Sequence, residues 1–190
     1  MNYAVKFRKI HRKIAPILFI PLLLSALTGV IYRLGKSWFG MPGEVSKIVM
    51  SIHQGTYLGK DLRPFYILLV GLGLLGLIVT GITMSRLAKK SSPPTAQKMS
   101  DRTLHRILAP IVCLPLFLSA ISGIAYRIDR TWFGMSSDFG NLMMVIHQGE
   151  YLGDFLKPIY VLLVGVGLLF MLATGIRMTG IFRKRRTPQL

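Results

Sequence analysis

The sequence predicts an all-α integral membrane protein: a four-helix transmembrane bundle built from two tandem helical hairpins with pseudo-two-fold symmetry along the membrane normal. Three observations lead there. Of the 190 residues, 52% are hydrophobic and 16% charged, with a positive mean hydropathy, outside the usual range of soluble domains. Four apolar stretches, Ile14 to Leu34, Leu62 to Met84, Leu108 to Ile128 and Pro158 to Met178, reach the roughly 20 residues that a helix needs to cross a hydrocarbon core. Residues 8–84 also recur at 102–178 without a gap, with 40 of the 77 positions identical, so the chain is a duplicated unit.

Read in order, the chain divides into a first transmembrane hairpin over residues 1–88, a linker at 89–100, a second hairpin at 101–182 and a basic tail at 183–190. The basic start followed by an apolar run resembles a signal peptide. Its length, and its copy at the third stretch, mark it as a retained span. After span one come Tyr32-Arg33 and Trp38-Phe39-Gly40-Met41, matched by Tyr126-Arg127 and Trp132-Phe133-Gly134-Met135. These read first as an interfacial aromatic belt with arginine anchors. Val45, Ile48, Val49 and Ile52, matched by Phe139, Leu142, Met143 and Ile146, have the spacing of a short amphipathic helix on the outer surface. His53 and His147 close these helices, each followed by Gln-Gly. Pro64 and Pro158 fit the first turn of spans two and four, where a missing N–H costs little. The stretch Lys89 to Lys98 is polar, contains proline and lies outside the repeat, as expected of a cytoplasmic linker.

The formal charge of +17 invites a nucleic-acid reading, but its distribution opposes one. The segment up to Lys13, residues Arg86 to Arg106 and the end from Arg177 together hold 16 of the 24 basic residues and one acid, Asp101. In a four-span chain these segments share one side, so the positive-inside rule puts both termini in the cytoplasm. No nucleic-acid partner is expected; anionic lipid is the expected partner of the basic rim. The run Arg183 to Arg186 serves as a topology anchor. The single cysteine, Cys113, excludes both a disulfide framework and covalent haem attachment through Cys-x-x-Cys-His.

All four histidines fall on matching positions, His11 with His105 and His53 with His147, 94 residues apart. A fold with two-fold pseudosymmetry sets each opposite its twin, which is what a haem iron held by two imidazoles requires. His11 and His53 stand at opposite ends of span one, roughly 30 Å apart by membrane thickness, so each pair makes its own site. The inner pair, His11 and His105, is the stronger expectation, with Arg12 and Arg106 as candidate partners of haem propionates. For the outer pair, a loop histidine exposed to water is the plainer alternative. Against that alternative, Gly55 and Gly59 leave room for a porphyrin edge, with Gly149 the counterpart of Gly55 in the second copy, and Arg33 and Arg127 are the corresponding cationic candidates. Gly29 and Gly123 belong to Ser-x-x-x-Gly patterns that permit close helix approach or make room for a flat ligand. Gly71-x-Gly73-x-x-Gly76 matches a dinucleotide fingerprint but lies in mid-span with no strand before it, and reads as helix packing.

The motifs His11-Arg12 and Leu104-His105-Arg106 precede spans that end in Leu27-Thr28-Gly29 and Ile121-Ser122-Gly123. Together with Ile52-His53-Gln54-Gly55, Ile146-His147-Gln148-Gly149, Thr80-Gly81 and Thr174-Gly175, they resemble the PepSY-associated transmembrane family, whose larger members include ferrisiderophore reductases of the bacterial inner membrane. The resemblance covers nearly the whole chain. It implies a four-helix bundle carrying two b-type haems, each on two histidines, which map onto His11, His105, His53 and His147. Outer loops of about 30 residues leave no space for a PepSY domain. The expected function is therefore a dihaem membrane cytochrome of the bacterial inner or thylakoid membrane. It would take electrons from quinol or a redox partner protein and pass them to an outer, ferric acceptor, in the manner of a ferric-reductase-type oxidoreductase. The alternative is a non-redox accessory or assembly subunit of a larger membrane complex.

Overall fold

The computed structural model describes residues 3–87, 100–134 and 136–179. The linker from Lys89 to Lys98 and the tail from Arg183 lie outside the described residues. Of those described, 94% are helical and none forms a strand. Six α-helices follow in order: α1 (Tyr3–Trp38), α2 (Gly43–Gln54), α3 (Gly59–Leu87), α4 (Asp101–Ile128), α5 (Ser137–Gln148) and α6 (Gly153–Thr179).

Four of them, α1, α3, α4 and α6, are long and apolar enough to cross a membrane. Each extends beyond its apolar stretch, because the polar flanks continue the helix instead of ending it. α1 and α4 stay continuous through Pro16 and Pro21, and through Pro110 and Pro115. Pro64 and Pro158 sit one turn deeper than the first turn expected for them. Short 3₁₀ turns at Thr56–Leu58 and Glu150–Leu152 run through Gly59 (φ +85°) and Gly153 (φ +76°) directly into α3 and α6, so those helices begin early.

α1 packs against α3 and α6, and α4 packs against the same two, which leaves α1 and α4 across a diagonal. The core along the axis is Leu18, Leu22, Val112, Leu116, Ile78 and Leu172. These are three pairs of positions 94 residues apart. Glycines let the helices approach, since side-chain atoms already fill the space that a Cβ would take. Gly73 receives Leu18 and Gly165 receives Val30, while a Cβ on Gly71 would lie 2.6 Å from Ile124 and one on Gly167 2.8 Å from Val112. The glycine pattern of span two therefore serves packing at Gly71 and Gly73, and only Gly76 faces open space. Facing outward, Ile17, Ile20, Leu69, Leu72, Ile111, Leu114 and Leu163 each expose more than half of their surface. Exposed aliphatic residues on this scale are unusual for a water-soluble monomer, and the four apolar helices are compatible with an integral membrane protein.

The short helices fold back on the span before them, α2 on α1 and α5 on α4. Each ends in a left-handed glycine, Gly55 (φ +66°) or Gly149 (φ +69°), whose N–H bonds back to Ile52 or Ile146. The preceding histidine is thereby aimed into the bundle.

Candidate functional site

His53 and His147 face each other across the bundle, with ring centroids 6.5 Å apart. Each ring is anchored through Nδ1. His53 Nδ1 donates to the Ser25 carbonyl at 3.0 Å and lies 3.1 Å from Thr28 Oγ1; His147 Nδ1 donates to the Ser119 carbonyl at 2.8 Å and lies 3.3 Å from Ser119 Oγ. A carbonyl can only accept, so the proton sits on Nδ1 and the Nε2 lone pair is left for another partner. Metal-binding histidines are held in this way, with the second nitrogen donating to a fixed acceptor.

Glycine makes the approach possible. A Cβ on Gly29 would lie 3.3 Å from His53 Cε1, and one on Gly123 3.1 Å from both Cε1 and Nδ1 of His147. The small-residue faces thus receive the histidine rings themselves. Gly55 and Gly149 have a different task from the one expected: the rings of Tyr66 and Tyr160 occupy the space where a Cβ would point, and the left-handed backbone excludes most other residues.

The two outer rings are not the exposed loop histidines of the plainer alternative. Protein encloses them, and their remaining free surface faces a cavity of about 250 Å³. Burial, and then the charge of His147, pull the pKa of His53 down to about 4; burial lowers that of His147 as well. Both are neutral at pH 7. The cavity is lined from all six helices, and every lining residue from one copy is matched by the residue 94 positions on. Its apolar floor is Leu22, Leu74, Leu116 and Leu168. Toward the α2/α5 end it is polar, with Arg33, Arg127, Gln54 and Gln148, and no carboxylate lines it.

His11 and His105 lie toward the other end. His11 Nδ1 is 2.8 Å from Thr80 Oγ1, and His105 Nδ1 is 2.8 Å from Thr174 Oγ1. Each threonine hydroxyl donates to its own helix backbone, Thr80 to the Gly76 carbonyl at 2.7 Å and Thr174 to the Phe170 carbonyl at 2.8 Å. The threonine oxygen must therefore accept from the ring, and the same tautomer results. His11 and His105 sit on the diagonal helices α1 and α4, each ring held by the threonine of its own copy. Arg12 and Arg106 are exposed beside them.

The two levels are closer than the opposite-ends expectation. His53 reaches Ser25, 14 residues beyond His11, which is about 21 Å of helix axis at 1.5 Å per residue. The fold-back of α2 carries the histidine inward from the end of span one.

A metal ion about 2 Å from each of two facing imidazole nitrogens puts the ring centroids roughly 6.3 Å apart. The outer pair meets that spacing. Among the described residues no group of three or more His, Cys, Asp or Glu gathers, so the donors available are histidine pairs. The sequence marks Thr80 and Thr174 only as motif residues and Ser25 and Ser119 only as small ones; their role as anchors of the rings emerges from the fold. The available signal was a threonine kept at the same place in an otherwise apolar stretch of both copies, Thr80 and Thr174. Comparison of the chain with family models, with curated proteins and with solved structures found no match.

Proposed function

We propose that the chain is a dihaem b-type cytochrome of the bacterial inner or thylakoid membrane. In this reading the two hairpins are related by a pseudo-two-fold axis along the membrane normal, both termini are cytoplasmic, and the chain belongs with the PepSY-associated transmembrane proteins. His53 and His147 hold one haem and His11 and His105 the other. The observation that carries the reading is the outer pair: two neutral imidazoles, each tied through Nδ1, 6.5 Å apart in one cavity. Haem iron with two histidine ligands has no open position, so the group supplies one-electron transfer instead of oxygen activation.

The chain's own residues supply the rest. The Ser25 and Ser119 carbonyls and the Thr80 and Thr174 hydroxyls fix the tautomers and ring orientations. Arg33 and Arg127 set positive charge at the cavity rim, where propionates can be met; Arg12 and Arg106 are the counterparts at the other end. The leucine floor keeps water from the space between the levels. Electrons would enter from quinol or a redox partner protein and leave to an outer ferric acceptor, with anionic lipid along the basic rim.

The test is a reduced-minus-oxidised absorbance spectrum with a pyridine haemochrome count. Two haems per chain are expected, and His53→Ala and His147→Ala should each lose the same one. A flat difference spectrum after expression with ample haem would refute the proposal.

A further inference from the structure

The two sides of the cavity rim differ in charge. On one side Arg33 donates to Gln148 Oε1 from the other copy and lies in the field of Glu150, which accepts from Lys157 Nζ at 2.6 Å. There each cation has an acceptor, the neutral amide of Gln148 for Arg33 and the carboxylate of Glu150 for Lys157. Moving 94 positions gives the other side, where Arg127 replaces Arg33, Arg63 replaces Lys157, Gln54 replaces Gln148 and Thr56 replaces Glu150. The acid at position 150 thus has no counterpart. α3 packs on α4 here, Phe65 against Trp132 and Gly71 against Ile124, which brings Arg63 beside Arg127 with like charge. Among the described residues neither guanidinium makes a hydrogen bond or ion pair, and the Nε of each is buried without a partner. Two acids lie two residues away in sequence: Asp61, before Arg63, is exposed and makes no ion pair with either arginine, and Asp129, after Arg127, is turned toward Gly140 of α5 together with Arg130.

We infer that Arg63 and Arg127 form a binding site for an oxyanion, a carboxylate or phosphate group, on this side of the rim alone. Two like charges with buried unmet donors are costly, and one anion that accepts from both removes the repulsion and the unmet donors together. The planar guanidinium fork matches carboxylate and phosphate oxygens in pairs. Arg127 lines the cavity, so the anion stands at its mouth. The inference does not depend on the histidines holding haem, whose propionate at Arg127 would be one such carboxylate, and it is tested in the absence of haem. A free anion and a phospholipid headgroup share this chemistry.

The experiment uses the full chain in neutral detergent without added haem, with its thermal midpoint followed against inorganic phosphate at ionic strength matched with chloride. Wild type should show a saturable rise in midpoint. Arg63→Gln should weaken the apparent phosphate affinity at least tenfold, whereas Lys157→Gln on the balanced side should leave it unchanged. Thr56→Glu, which supplies the acid found at position 150, should raise the midpoint without phosphate and abolish the response. Reconstitution separates the sources. A response seen in detergent and lost in phosphatidylglycerol discs, whether or not phosphatidylcholine discs also abolish it, assigns the site to a lipid phosphate, and one kept in both kinds of disc assigns it to a free anion. Absence of a phosphate response in wild type, or a response that both Arg63→Gln and Thr56→Glu retain, would overturn the inference.

Discussion

Acidification should destabilise the chain through the outer histidines well above the pH at which carboxylates titrate. An unfolded His53 takes up a proton near its ordinary value of 6.5, whereas burial and the charge of His147 hold the folded ring neutral down to about 4. Between those values the unfolded chain binds more protons, so stability is complete above about pH 6.5 and falls as the pH drops. The displacement from 6.5 to about 4 amounts to about 3.4 kcal/mol in full, of which about 2 kcal/mol is lost by pH 5. His147 adds to the loss in the same direction. The surroundings offer no compensation, since Arg33 and Arg127 line the cavity and no carboxylate does. The assay is thermal unfolding of the detergent-solubilised chain by circular dichroism between pH 7.5 and 4.5, in wild type and His53→Gln. The variant should lose the His53 share of the wild-type slope between pH 6.5 and 5, with His147 supplying what remains. Parallel curves for the two proteins across that window would refute the argument that the ring is kept neutral by its site.

Three further outcomes follow from the packing. Gly123→Ala should disturb its histidine more than Gly29→Ala, since the new Cβ would lie 3.1 Å from His147 but 3.3 Å from His53; retention of added haem after gel filtration reads the difference. Thr80→Val and Thr174→Val each remove the acceptor of a ring N–H and should cost about 1 kcal/mol in thermal stability, with Thr80→Ser restoring it. Gly55→Ala combines a positive φ with the ring of Tyr66, whereas Gly40→Ala has a positive φ and open space. The Gly40 variant should lower the midpoint by no more than the backbone strain of about 1 to 2 kcal/mol, and the Gly55 variant by clearly more.

The helices were legible in the sequence because hydropathy alone separates four apolar stretches from their basic and aromatic flanks. The short helices were legible from Val45, Ile48, Val49 and Ile52 and their counterparts, whose spacing has a helical period and no strand period. The depth of His53 was not. Nothing local says that α2 folds back along α1 until its last turn meets Ser25, because that path is set by Gly29 and by the packing of Tyr66 on Gly55, both contacts between distant positions. The anchors were hidden for a similar reason. A threonine near the end of an apolar span usually bonds its own helix backbone, as Thr80 does, and only the meeting of α1 with α3 turns its free oxygen toward His11. The charge imbalance at the rim could have been read from Thr56 against Glu150, yet it gains meaning only when Arg63 and Arg127 are seen together.

The anchoring pattern also bears on why the unit is duplicated. Each ring is oriented by its own copy: His53 by Ser25, His11 by Thr80, His147 by Ser119 and His105 by Thr174. The approach of His53 to His147, by contrast, is made between copies, as is the bond from Arg33 to Gln148. A single hairpin therefore carries what is needed to preset a histidine and lacks the facing one. Expressed alone, residues 1–88 should bind haem only where two hairpins associate, with a haem-to-chain ratio half that of a two-site monomer. Analytical ultracentrifugation of the haem-loaded hairpin decides the matter, because a haem-bearing monomer would show that one copy suffices.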